Sequence, residues 1–265
     1  MKKLILFLTF IQLAVTLFGQ VTPADSITVN ISPKQDSLID KEDDNDDDKE
    51  FNFNLSLGKK KVKTRFLLMD VGINSYHSEG NPNLPASLKT FELRHSRSSE
   101  LNLHVYRQRI KIGSGIFNIE HGLSFDFNHY SFQNKVKFRS DSLEQFYIDP
   151  TANIEKSRLF ISRMTLPLML HFETNPNKLS KSFHFGVGAY ASVRLGSNLL
   201  MRGSGRYKEK ISDNFGLNDF TFGLRAEMGF GPINLYATYS LSEMFKPGQG
   251  PNLTPFSVGF SVIPF

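Results

Sequence analysis

The sequence predicts an all-β protein, an eight-stranded antiparallel up-and-down transmembrane β-barrel that follows a disordered N-terminal leader. Apolar and polar residues alternate with a period of two over residues 65–265, as in strands with one apolar and one polar face. Long and short connections also alternate, which places every long loop at one end of the sheet. The polar faces hold mostly Gly, Ser, Thr, Asn and Tyr, whereas the wet face of a soluble sheet would be rich in Lys and Glu.

Composition narrows the classes of function. The 265 residues include 25 Phe and 8 Tyr but no Cys, which excludes disulfides, thiolate metal sites and a cysteine nucleophile. The net charge is +5, although residues 20–50 alone carry ten acidic and three basic side chains. The body of the chain is therefore basic, which suggests an anionic partner.

The first 19 residues have the three parts of a secretory signal peptide. Lys2 and Lys3 are followed by the apolar stretch Leu4–Phe18 and by the small residue Gly19, an arrangement typical of a cleaved export signal. We expect cleavage near Gly19–Gln20. Export excludes nucleic acid as a partner.

Residues 20–64 are predicted to form a disordered acidic periplasmic leader. The stretch Asp36–Glu50 is too polar to bury the apolar surface that folding requires. It lacks the Gly of a calcium-binding EF-hand loop, so a solvated linker is the favoured interpretation. Residues 51–57 alternate between apolar and polar side chains, and their role stays open.

Eight strands are predicted over residues 65–265. In the fifth, one face carries Phe183, Phe185 and Val187 while the other carries His184 and Gly186. Several strands exceed the 9–11 tilted residues that cross a bilayer. The predicted strands are 65–77, 98–111, 116–132, 157–173, 183–198, 219–230, 232–242 and 255–265.

An eight-stranded barrel leaves an interior that side chains can fill. Charges on the polar faces must then be paired, because an unpaired buried ion is too costly. We predict a structural salt-bridge network across the lumen formed by Asp70, Glu120, Asp126, Arg163, Arg194, Arg225 and Glu227. Aromatic residues near strand ends are predicted to form the interfacial girdles, namely Phe66, Tyr76, Tyr106, Phe132, Phe172, Phe183, Phe230, Tyr239 and Phe256.

Four stretches resemble one known family: Lys156–Asn177, Ser182–Ser197, Gly231–Ser242 and Phe245–Phe260. They are similar to the outer-membrane β-barrel domain family of Gram-negative bacteria, also labelled the porin family or PorT-like. The resemblance implies location in the outer membrane, contact with lipid and lipopolysaccharide, and delivery by the outer-membrane insertion machinery. It implies a fold more firmly than an activity, and it supplies no catalytic residues.

Three functions follow as hypotheses. The first is a structural or partner-binding barrel with a filled lumen, which the PorT-like resemblance extends to an accessory role in secretion; its basic loops or its leader would contact a protein partner or anionic lipopolysaccharide. The second is a small passive pore. The third is a lipid A-modifying enzyme, because His129 and Ser131 resemble the His-x-Ser arrangement of a lipid A deacylase barrel. The histidines are scattered, so we expect no enzyme activity, no cofactor and no metal.

The basic loop residues that would contact an anionic partner under the first hypothesis are Lys135, Lys137, Arg139, Arg202, Arg206, Lys208 and Lys210.

Overall fold

The computed structural model describes residues 62–113, 116–139, 146–151, 153–175, 182–204, 207–231 and 233–262. The predicted signal peptide, the leader up to residue 61 and the terminal Phe265 lie outside these residues. The strands of the described part are β1 (Val62–His77), β2 (Ser99–Ile112), β3 (Phe117–Ser131), β4 (Val136–Phe138), β5 (Phe146–Ile148), β6 (Lys156–Glu173), β7 (Phe183–Arg202), β8 (Lys208–Ser212), β9 (Phe220–Phe230), β10 (Ile233–Ser240) and β11 (Thr254–Val262).

Eight of these strands close into a ring. The order is β1, β2, β3, β6, β7, β9, β10, β11, with each strand antiparallel to the next and β11 paired back to β1. Every neighbour in the ring is therefore also the next barrel strand in sequence. The predicted eight-stranded antiparallel up-and-down barrel is confirmed.

Three short strands lie in segments predicted as long loops. β4 and β5 pair with each other as a separate two-stranded sheet. β8 pairs with the end of β7, which continues to Arg202 beyond the predicted residue 198. Strands of three to five residues are too short to show a convincing alternation. Two short 3₁₀ helices, Ala86–Phe91 and His95–Arg97, lie in the loop between β1 and β2.

The outside of the barrel is apolar over most of its height. Exposed apolar side chains on neighbouring strands include Val71, Leu170, Val187, Leu224 and Phe260, each about half exposed or more. Soluble monomers rarely expose contiguous apolar patches larger than a few hundred Å². Outward apolar residues on every ring strand instead match the lipid-facing band of a transmembrane barrel.

The predicted aromatic girdle is partly wrong. Phe66, Phe172 and Phe230 are exposed at strand ends as expected, but Tyr76 and Phe132 are only 2% exposed. Both pack inward among the long loops.

No helix in the described residues is long and apolar enough to cross a bilayer.

Irregularities in three strands reverse which residues face the lumen. Between β2 and β3 the pairing shifts at Val105, so His104 and Arg107 are both buried although they are three positions apart and would otherwise face opposite sides. On the neighbouring strand, Leu67 has a positive φ of 55° and is 86% exposed. A third shift falls at Leu195, opposite the step from Ser162 to Arg163. An inserted residue of this kind moves every later side chain to the other face.

The interior has three layers. In the half nearest the short turns, the lumen is filled by ionised side chains. The middle layer is polar and encloses a cavity of about 70 Å³, room for a few water molecules. In the half nearest the long loops, the lumen is closed by an apolar cluster.

Candidate functional site

The charged layer is a chain of side chains that alternate in sign. The Asp70 carboxylate accepts a hydrogen bond of 2.6 Å from Arg225, whose Nε lies 2.7 Å from the Glu227 carboxylate. Arg107 donates to both oxygens of Glu227 at 2.9 Å and also pairs with Glu120. The order Asp70, Arg225, Glu227, Arg107 thus alternates acid and base. We call the whole set the inner charge cluster: Asp70, His104, Arg107, Arg109, Glu120, His171, Glu173, Arg225 and Glu227.

The chain continues to the short-turn end of the barrel. Arg109 donates through Nε to Glu120 at 2.8 Å and also pairs with Glu173. At the other end, His104 lies 2.8 Å from Asp70. All of these side chains are at most 10% exposed. Charged hydrogen bonds of this kind satisfy ions that would otherwise be costly to bury.

The cluster crosses the lumen. Arg107 lies on β2 and Glu227 on β9, which stand on opposite sides of the eight-membered ring. Arg225, also on β9, reaches Asp70 on β1. The guanidinium of Arg225 additionally lies over the Tyr236 ring, 4.5 Å from its centre. Side chains from distant strands therefore hold one another across the centre of the barrel.

Four of the seven predicted network residues meet here: Asp70, Glu120, Arg225 and Glu227. The other three lie nearer the long loops. Asp126 accepts a hydrogen bond of 2.7 Å from Ser124 and another from Thr165. Arg163 donates to the Thr221 hydroxyl at 3.2 Å, and Arg194 pairs with Asp219 at 2.5 Å. The described contacts thus join four of the predicted residues in one cluster and give each of the other three different partners.

The sequence prediction missed the basic half of the cluster on β2. Arg107 and Arg109 fall on the predicted lipid face if the alternation of β2 is continued without interruption. The shift at Val105 brings both inward. Val105 and Tyr106 are adjacent apolar residues in an otherwise alternating strand, and that break in the pattern is the signal that could have located the shift.

The cluster also contains a candidate metal-binding geometry. Glu120, His171 and Glu227 each offer one ligand atom, and these atoms lie within 4.8 Å of one another. His171 is 2% exposed and neither ring nitrogen has a hydrogen-bond partner in the described structure. However, the guanidinium of Arg107 already contacts both carboxylates. It supplies the positive charge that a cation would bring, so the residues fit a metal-free ion-pair cluster better than a metal centre.

The polar cavity lies between the inner charge cluster and the long loops. Its walls include Asn74, Asn128, Thr165 and Ser192, and Glu100 also lines it. The Tyr236 hydroxyl donates to Glu100 at 2.9 Å. Hydroxyl and amide groups of this kind suit ordered water.

Glycines on the polar faces leave space for the Tyr236 ring, because they carry no Cβ. A Cβ on Gly259 would lie 2.8 Å from that ring and within 2.5 Å of backbone atoms of the adjacent strand. The glycines on the polar faces therefore have a packing role, which allows a large ring to fill a narrow lumen.

The apolar cluster at the long-loop end joins strand ends to loop residues. Ring contacts connect Phe91, Phe132, Phe146 and Phe245 at centroid distances of 5.4–6.3 Å. Leu199 and Phe215 are fully buried in the same cluster. These contacts between buried side chains give the long loops a defined structure and close the lumen at that end.

The hairpin of β4 and β5 presents charge beyond this cluster. Lys137 lies 2.9 Å from Asp149. Hydrogen bonds from the Thr151 hydroxyl and from Lys137 lower the pKa of Asp149 to about 2. The pKa of Lys137 is raised, chiefly by the hydrogen bond to Asp149.

His129 and Ser131 do not form an accessible pair. Ser131 is 4% exposed, and both Arg94 and Ser98, which flank the 3₁₀ helix His95–Arg97, bind its backbone. Its backbone carbonyl accepts a hydrogen bond from the amide of Arg94, and its amide donates to the Ser98 hydroxyl. The His129 ring instead packs on Phe160, 4.8 Å between centroids.

Comparison with known proteins gives one family and several solved structures. The sequence profile described as "Outer membrane protein beta-barrel domain" matches residues 71–246. The attachment invasion locus protein Ail of Yersinia pestis shares 11% identity at a TM-score of 0.32, covering 76% of this chain and 94% of that one. Its complex with the heparin analogue sucrose octasulfate gives 10% identity and a TM-score of 0.31 over the same shares. No curated protein matches. The profile spans two thirds of the sequence and the ring of eight strands agrees with it, so the chain belongs to the outer membrane protein beta-barrel domain family.

Proposed function

We propose that this outer-membrane barrel is a structural or partner-binding scaffold with a closed lumen, and that its long loops carry the contact surface. The observation that supports it best is the filling of the interior at two levels. The inner charge cluster crosses the ring, and the apolar cluster occupies the long-loop end. Between them lies the polar cavity of about 70 Å³, with ion pairs on one side and packed aromatic rings on the other.

The passive pore is the second candidate, and the closed interior argues against it. Porins that conduct freely are built from about sixteen strands, whereas eight strands enclose a lumen that side chains fill. Water molecules in the polar cavity would meet ion pairs on one side and packed aromatic rings on the other.

The bilayer experiment separates these two candidates. Purified full-length protein, inserted into a planar phosphatidylcholine bilayer, is expected to give no stable ohmic steps, while a sixteen-stranded porin added to the same bilayer gives them. Insertion is checked by heat-modifiable migration on a gel, because a folded barrel migrates differently before and after boiling. Reproducible single-channel steps from the folded protein would contradict the scaffold proposal.

The enzyme hypothesis has little geometric support, since Ser131 is buried. Its test is the mass of lipid A in cells with and without the protein. Equal masses would leave the scaffold proposal intact. A mass change that Ser131→Ala abolishes would favour the enzyme.

The partner of the scaffold is proposed from the chemistry of the loops and from the resemblance. A basic long-loop end fits anionic lipopolysaccharide or an acidic protein surface, and the PorT-like resemblance adds an accessory role in secretion. Crosslinking from Asp36–Glu50 and from the β4–β5 hairpin in intact cells would identify a protein partner on either side of the membrane.

A further inference from the structure

Five cations form one outward-facing surface on β6, β7 and β8. In the pairing register, Lys156 lies opposite Arg202, which lies opposite Lys208; one step further in, Arg158 aligns with Leu200 and Lys210. Residues directly opposite in antiparallel strands share a face, with Cβ atoms about 5 Å apart. We call Lys156, Arg158, Arg202, Lys208 and Lys210 the cationic rows.

The burial pattern shows that the cationic rows face away from the lumen. Lys156, Arg202, Lys208 and Lys210 are exposed, whereas the intervening Ser157 and Met201 are buried. Ile211 of β8 packs against the apolar cluster. β6 and β7 thus bury one face and hold their cations on the other, and Lys208 and Lys210 of β8 continue the cationic face.

The height of the cationic rows on the barrel matches the membrane surface. The outward face of β6 runs from Phe172 through Leu170 and Leu168 to Phe160. Over this span a strand rises about 30 Å along the barrel axis, at roughly 3.3 Å per residue and a tilt near 40°. That length covers the apolar band of about 25 Å that barrels present to lipid. Arg158 and Lys156 are the next outward residues, so they lie at the level of the lipid headgroups.

The cationic rows have no described acidic partner. None of the five forms an ion pair with another described residue. The nearby Glu209 has the opposite strand phase, and its carboxylate accepts a hydrogen bond of 2.5 Å from Tyr207. Like charges directly opposite each other destabilise a strand pair. An anion lying between the strands removes that repulsion, which favours a bound ligand over simple solvation.

We propose that the cationic rows bind the phosphate groups of lipid headgroups in the leaflet that surrounds the long-loop end of the barrel. This inference rests on the proposed membrane orientation and deepens the proposed function by naming a lipid site. Phosphate carries the charge that Lys and Arg recognise, and Arg can bind it through two hydrogen bonds. A lipid is the ligand chosen because the rows lie immediately above the apolar band, where headgroups, and not soluble anions, are held at high local concentration.

The test measures binding of fluorescent diphosphorylated lipid A to the full-length protein in zwitterionic micelles. The variant Lys156→Gln/Arg202→Gln/Lys208→Gln removes one complete row. Each cation near an anionic lipid surface contributes about fivefold in affinity, so the triple variant is expected to weaken binding at least tenfold. The matched control Lys63→Gln/Lys89→Gln/Lys111→Gln removes the same charge elsewhere and is expected to change affinity less than about twofold.

Three outcomes would overturn the lipid site. Equal losses in both triple variants would show that only net charge matters. Unchanged binding of dephosphorylated lipid A would exclude phosphate as the recognised group. Displacement by a few millimolar inorganic phosphate would assign the surface to a free anion. Heat-modifiable migration and the absence of conductance are measured on the same samples, so a failed scaffold proposal is distinguished from a failed lipid site.

Discussion

Arg107 shows why the lumen of this barrel depends on single side chains. Its guanidinium contacts Glu227 across the ring and Glu120 on the neighbouring strand, and it is 4% exposed. A buried ion pair adds little net stability compared with apolar packing, but removal of one partner is costly because the other charge is left without a counterion. Glu227 pairs with two buried guanidiniums, Arg107 and Arg225. Without Glu227, each of them would keep one acid and lose the other.

Glu227→Ala is therefore expected to lower the free energy of unfolding by about 3–5 kcal/mol. The measurement is urea unfolding of the barrel in lipid vesicles, followed by heat-modifiable migration. Asp219→Ala is the matched control, since it removes a carboxylate from partly exposed pairs with Arg194 and Lys246 and is expected to change stability by no more than about 1 kcal/mol. Similar losses in the two variants would contradict a central role for the inner charge cluster.

At the scale of the strand, the alternating sequence pattern predicts which segments form strands but not where a bulge interrupts them. Uninterrupted alternation predicts the barrel of eight ring strands, which is confirmed, and Asp70, Glu120, Arg225 and Glu227, which it assigns to polar faces, are buried. It failed where one extra residue reverses the phase, because a period-two pattern carries no information about a local bulge. For that reason the alternation does not predict that Arg107 and Arg109 face the lumen.

Contacts between loops were also beyond prediction from the sequence. The aromatic cluster gathers Phe91, Phe146, Phe215 and Phe245 from four connections, and no short-range periodicity links such residues. The sequence predicts Tyr76 and Phe132 at the membrane interface for the same reason, because an aromatic residue at a strand end gives the same pattern whether it contacts lipid or a folded loop.

The β4–β5 hairpin gives a pH-dependent prediction. Because Asp149 has a lower pKa when folded, its hydrogen bonds with Thr151 and Lys137 add stability above the unfolded pKa of about 4, and that contribution disappears as the pH falls through about 2. Titration of the Asp149 carboxyl by ¹³C NMR should give a midpoint near 2. In Lys137→Met the midpoint should rise towards its ordinary value. An identical midpoint in this variant would show that Lys137 plays no part.

The whole molecule is an inside-out arrangement, with ions in the centre and apolar side chains on the perimeter. A soluble barrel of the same topology would place its bulky apolar residues in the lumen. Here Leu224 and Phe222 of β9 are exposed, while Arg225 and Glu227 are buried. Lipid as the surrounding solvent makes this arrangement stable, because the strands of the closed ring pair their backbone groups with one another.

The depth of the apolar belt can be measured with charged substitutions. Leu224→Arg places a cation near the middle of the belt and is expected to destabilise the barrel by about 2–4 kcal/mol in vesicles. Ile233→Arg, at the short-turn end of β10, is expected to cost no more than about 1 kcal/mol because the charge reaches the interface. Equal costs at the two positions would contradict a bilayer at the proposed height.

The long sequence separation within the inner charge cluster constrains how the chain enters its membrane. Arg107 is synthesised 120 residues before Glu227, so the β2–β3 hairpin holds Arg107 with Glu120 but without its second counterion, which arrives only with β9. An insertion intermediate composed of that hairpin must keep its inner side hydrated. Expulsion of water is thus coupled to arrival of the late strands, and ring closure becomes the step that commits the protein to its final state.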